Sequence, residues 1–193
     1  MNKVSRSELL PLAAYEEIRP HFRGRVIQLK ARRRTSLGAH MSIVFENHDT
    51  MLLQVQEMLR TERISDEAAI AHELATYNEL VPAPGQLSAT LFLEYEDAKE
   101  RAQALLRFAG LRTAVQLVIG SEPFQATFAT HFAEELDRLP AVNYLTFQVG
   151  AERAKQLRDR SVPAKLEVTH PEYRVQVTLS DELREELAKD LES

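Results

Sequence analysis

Glu46 and His48 stand two residues apart, where an alternating apolar run gives way to the polar segment Asn47-His48-Asp49-Thr50. A carboxylate and an imidazole at one strand end form a pair able to move a proton near neutral pH. Glu57 is a third candidate of this kind. Groups able to hold an anionic substrate lie close by in sequence. From Ile18 to Phe45 there is no acidic residue, while Arg19, Arg23, Arg25, Lys30, Arg32, Arg33 and Arg34 place seven cations in the stretch. Guanidinium groups take carboxylates and phosphates in a two-pronged grip. Arg23, Lys30, Arg32, Arg33, Arg34 and Arg60 are therefore the candidate ligand-binding residues, and Glu46, His48 and Glu57 the candidate catalytic ones. An enzyme acting on a small anionic substrate is one reading of this set.

Each residue also has a plainer use. Consecutive helical residues point about 100° apart, so Arg32, Arg33 and Arg34 cannot share one face. They equally suit a solvated helix end, where cations oppose the negative end of the helix dipole. Asp49 is placed to cap a following helix, which would occupy its carboxylate with backbone amides and make it a poor base. Asn47 and His48 could simply form the turn. Gln54, Glu57 and Thr61 share one side of that helix and Gln56, Arg60 and Arg63 another, the spacing of water-facing side chains.

Metal and cofactor chemistry finds little support. The chain has no cysteine, which removes disulfides, thiol nucleophiles and thiolate ligands. The Glu167-x-x-His170 pair falls in a strand-like segment, where residues three apart point to opposite faces. His131 and Glu134 could meet on a helix, but two ligands do not make a site. There is neither a glycine-rich phosphate loop nor a nucleophile elbow. No metal and no cofactor are expected.

The elements that must carry these residues can be read from periodicity. The chain has 193 residues, 44% hydrophobic and 27% charged, enough for one domain spanning residues 1–193 with an ordinary core. Residues 7–34 read as helical, with Pro20 demanding a kink or a new helix start near Arg19. Gly38 permits a turn, and Met41, Ile43 and Phe45 alternate as in a half-buried strand that delivers Glu46 to its carboxyl end. A helix from Thr50 to about Glu62 follows, then one capped by Ser65. Residues 87–95 alternate most clearly as a strand, and Asp97 to Ala109 reads as a helix with Gly110 as its stop. Further strands are expected at 114–119, 124–128, 142–149, 165–169 and 173–179. His170-Pro171-Glu172 would turn the last two into a hairpin, and Ser180 opens a closing helix. The expected class is α+β, a helical N-terminal part packed on a mostly antiparallel sheet.

Net charge is −5 and the 18–45 segment carries +7, so the rest of the chain carries −12. An acidic whole opposes general nucleic-acid binding, while one basic face suits an acidic protein or anionic ligand. With a polar start and no long apolar run, a cytoplasmic location and no membrane contact are expected.

The succession Arg32-Arg33-Arg34, Phe45-Glu46-Asn47, Asp49-Thr50, Gln54, Gln56-Glu57-Met58, Arg60, Tyr77-Asn78, Pro82 and Leu87-Ser88-Ala89-Thr90 resembles the bacterial domain-of-unknown-function family three-five-zero-one. The resemblance covers nearly the whole chain and is densest from Tyr15 to Glu94. It brings no catalytic residues to carry over. What it implies, since the family's genes often stand beside those of rubrerythrin and an iron-sulphur oxidoreductase, is an accessory role in peroxide or electron-transfer metabolism. The expectation is therefore a cofactor-free accessory protein that binds an acidic redox partner or an anionic ligand through its arginine-rich segment.

Overall fold

The computed structural model describes residues 1–129 and 139–193. His131 and Glu134 lie outside the described residues. Their order of elements is α1 (Leu12–Arg32), β1 (Arg34–Ser36), β2 (Met41–Glu46), α2 (His48–Thr61), α3 (Glu67–Asn78), β3 (Gln86–Leu93), α4 (Ala98–Arg107), β4 (Val115–Ile119), β5 (Glu122–Phe128), β6 (Val142–Gln148), α5 (Ala154–Arg158), β7 (Ala164–His170), β8 (Tyr173–Thr178) and α6 (Asp181–Glu192). The fold is α+β, and every strand pairing is antiparallel, in the order β1-β2-β3-β6-β5-β4-β7-β8.

Alternation explains the sheet. Leu87, Ala89, Leu91 and Leu93 of β3 point to one side with Met41, Ile43 and Phe45 of β2, and join Leu117, Leu166 and Phe147 in one core. Leu183, Leu187 and Leu191, on one stripe of α6, belong to the same core. A second cluster joins Met51, Val55 and Leu59 of α2 to Ile70 and Leu74 of α3. No helix among the described residues is long and apolar enough to cross a membrane.

Several expectations are corrected. A single helix, α1, runs through Pro20, so of the kink or new start expected near Arg19 the new start does not occur. The cap of α2 is Asn47, whose side chain accepts from the Thr50 amide, so Asp49 sits in the first turn instead. Asp66 caps α3 in place of Ser65. β2 is buried on both faces, and on the side carrying Ser42, Val44 and Glu46 the Arg34 side chain meets Ser42 and that of Lys30 meets Glu46.

The sheet curls until its last strand meets its first turn. Tyr173 of β8 donates its hydroxyl hydrogen to the Leu37 carbonyl at 2.6 Å and accepts from the His40 amide at 3.2 Å. Gly38 between them has φ +81°, and a Cβ there would stand 2.5 Å from the tyrosine oxygen. This hydroxyl, rather than strand pairing, latches β8 to the β1–β2 turn. Tyr173→Phe leaves the buried Leu37 carbonyl and the His40 amide without this partner. We expect it to lower stability in urea unfolding by roughly 1–3 kcal/mol and to speed exchange of the His40 amide; an unchanged amide would show that the latch holds nothing.

Candidate functional site

The residues singled out by type and spacing lie on α1, β1, β2 and α2, and one of them, Arg33, organises the junction of α1, β2 and α6. α1 ends at Arg32, and the next side chain turns inward and is fully buried. All five guanidinium N–H groups find acceptors. Nε donates to the Phe45 carbonyl at 2.8 Å, Nη2 to the Glu46 carbonyl at 3.3 Å and to Asp190 Oδ2, and Nη1 to Glu186 Oε2 at 3.3 Å and Asp190 Oδ1 at 3.4 Å. Burial pushes the Asp190 carboxyl upward, and the Arg33 charge opposes that push. Arg33 thus pins the end of β2 to α6.

Glu46 occupies that end. Its side chain points to the outer face of the sheet, beside Ser88 in register, and the residue is 3% exposed. Thr90 donates its hydroxyl to Oε1 at 2.7 Å, while the buried Oε2 has no hydrogen-bond partner. The nearest cation is Lys30, whose Nζ lies 3.7 Å from Oε2 and whose side chain is 31% exposed. Tyr144, opposite Thr90 on β6, has its hydroxyl pushed up first by burial and then by Tyr77 and the Glu46 charge.

The other acid/base candidates have different partners. His48 Nε2 is 2.9 Å from Glu8 Oε1, and its Nδ1 is 3.4 Å from Asp49 Oδ1. Glu57 accepts from the Tyr15 hydroxyl at 2.6 Å and from Arg19 Nε and Nη2 at 2.8 and 2.9 Å. Glu46, His48 and Glu57 therefore share no partner.

Among the candidate ligand-binding cations, Arg60 pairs with Glu16 at 2.5 Å. Arg34 donates to Ser42 at 2.7 Å and to Glu94 at 2.5 Å, with its guanidinium over the Phe92 ring. Arg23 and Arg32 are exposed and make no ion pair among the described residues, and the same holds for Arg25, which rests over the Phe22 ring. Arg25 and Arg32 line a surface depression of about 510 Å³ with Gln28, Leu29, Ala31 and Asp49. Helical spacing alone would have added Arg25 to the candidates, since it is seven residues from Arg32. Gln56, expected to face water, is buried and exchanges two hydrogen bonds with the Leu10 backbone.

The Arg19 grip, strengthened by Tyr15, holds the Glu57 carboxyl below the usual carboxylate range, against a smaller effect of burial. A carboxyl with a depressed folded pKa stabilises the fold above its unfolded value, near 4.3, and that contribution is lost as pH falls through the folded value. Glu57→Gln should accordingly be less stable than the parent at pH 7. The gap should close as pH falls from the unfolded value through the lower folded one. A gap constant across that range, followed by thermal or urea unfolding, would mean that Glu57 ionisation is not coupled to folding.

The model of the family described as Protein of unknown function (DUF3501) matches residues 3–191. The chain is also similar to a crystal structure described as a novel protein of unknown function from Burkholderia pseudomallei K96243. The two are 34% identical, the match covers 98% of this chain and 100% of that one, and the TM-score is 0.91. Comparison with curated proteins found no match. The motif order from the Arg32-Arg33-Arg34 run to Thr90, the matched family model and the shared fold place this chain in the DUF3501 family, to which it belongs over nearly its entire length.

Proposed function

We propose that this protein is an accessory factor that binds an acidic protein partner through the outward face of α1. The observation that carries this reading is how little of α1 the protein itself uses. Of its 21 residues only Tyr15 and Val26 are buried, while Ile18 and Ile27 remain 42% and 56% exposed. Two flanks result from helical spacing. Arg23, Ile27 and Lys30 lie along one, and Ile18, Arg25, Leu29 and Arg32 along the other. Exposed aliphatic groups between arginines are the ordinary composition of a docking surface, where charge sets the rate of encounter and apolar contact holds the complex.

Two of the cations first singled out have other work. Arg33 and Arg34 are tied to acidic groups of this chain, so Arg23 and Arg32, joined by Arg25, are the ones left to meet a partner. The gene context implied by the family resemblance makes an acidic redox protein, rubrerythrin or an iron-sulphur oxidoreductase, the partner to test first.

Replacing Arg23, Arg25 and Arg32 together by Glu is the direct test, with the immobilised protein and purified rubrerythrin titrated at rising salt. The parent should bind at low salt and release as salt increases, and the variant should lose at least about tenfold in affinity. Equal binding by parent and variant would place the docking face elsewhere, and binding by neither would remove rubrerythrin as the partner.

A further inference from the structure

We propose that the free edge of β8 pairs with the β8 edge of a second copy of this chain, antiparallel about a two-fold axis at Gln176. The inference is independent of how α1 is used. β8 ends the strand order and pairs only with β7. The Leu179 amide donates to the Ala164 carbonyl at 2.9 Å, which fixes which residues face β7. Bonded and non-bonded positions alternate along an antiparallel pair, so Tyr173, Val175 and Val177 turn their backbone groups to β7, and Arg174, Gln176 and Thr178 turn theirs away. No hydrogen bond among the described residues reaches the backbone groups of those three, and all three residues are exposed.

An edge of this kind is a template for another strand, and native sheets blunt such edges with proline, lysine, a bulge or shortness. β8 has six residues in unbroken register with β7, and Arg174 to Thr178 carry neither proline nor lysine. The strand is tied on that side at one end, where the Tyr173 hydroxyl meets the Leu37 carbonyl and the His40 amide. Val175 and Val177 are half-buried against the core, and a neighbouring strand would complete their burial.

The edge fits its own copy. With the axis at Gln176, Arg174 and Thr178 exchange backbone bonds with Thr178 and Arg174 of the second copy, and Gln176 with its counterpart, so every free edge group is met. Val175 then faces Val177, and no like charges stand opposite each other. Antiparallel pairing also brings the start of one strand to the end of the other. Arg174, at the start, is exposed and has no ion pair among the described residues, and the same holds for Glu182, just past the end in the first turn of α6. These charges complement each other twice in the pair. At the opposite end of the sheet β1 has three residues, so it offers β8 a shorter match, and a contact of β8 with β1 of another copy would not close.

Sedimentation velocity on the full chain, from about 1 μM to about 1 mM, reads the association. The parent should pass from one to two chains per particle over that range, and amide exchange at Arg174, Gln176 and Thr178 should slow as it does. Gln176→Pro removes the central edge donor. Because that N–H faces away from β7, the fold should stand while the dissociation constant of the pair rises at least about tenfold. Arg174→Glu and Glu182→Arg should each weaken self-association, and an equimolar mixture of the two variants should restore it, since each supplies the charge that the other then needs. The mixture keeps the test open should Gln176→Pro fail to fold. A parent that stays a single chain at every concentration, self-association unchanged by the proline, or a mixture that associates no better than its components would each overturn the proposal.

Discussion

The arrangement of this protein depends on one buried guanidinium. Arg33 has no solvent, and a charge in that position is tolerable only when every donor has an acceptor and a countercharge lies beside it. The requirement is met by two carboxylates of α6, Glu186 and Asp190, and by the carbonyls of Phe45 and Glu46. Because those acceptors come from elements far apart in sequence, satisfying one side chain fixes the end of α1, the end of β2 and the last helix relative to each other. Removal of either partner would leave a buried charge alone, which is the costliest way to break such a pair.

Two consequences for function follow from this constraint. Arg33 anchors the backbone of Glu46 through its carbonyl, and the Glu46 carboxylate meets Thr90 on one oxygen. Meanwhile α1 is secured mainly at its inner side, by Tyr15, Val26, the Arg19 to Glu57 pair and the Arg33 anchor that follows it. Its outer flanks are left to solvent, with Arg23, Arg25 and Arg32 unpaired among the described residues.

How far this could be read from the sequence depends on the range of the interaction. Local signals were legible: the alternation of Leu87 to Leu93, the His170 to Tyr173 hairpin and the Ser180 cap of α6 all stand in the structure. Choices between adjacent polar residues were not. Asn47 and Asp66 cap their helices where Asp49 and Ser65 were expected, because all four are good caps and a shift of one or two residues depends on the entry path of the chain. Burial of polar groups was least legible. Gln56 sits at water-facing spacing but meets Leu10, 46 residues earlier, and Arg33 meets Asp190, 157 residues later. No periodicity within a helix reports a partner at that distance. The strand bearing Glu46 was recognised as half-buried, but it is buried on both faces, so the carboxylate looked more open than it is.

A double-mutant cycle on Arg33→Met and Asp190→Leu, read by chemical unfolding, tests the central claim most directly. Each single change should cost about 3–5 kcal/mol by stranding a buried charge, and the double change should cost much less than their sum. Additivity of the two within about 0.5 kcal/mol would mean that the residues act independently, and that the junction of α1, β2 and α6 is held by something other than this pair.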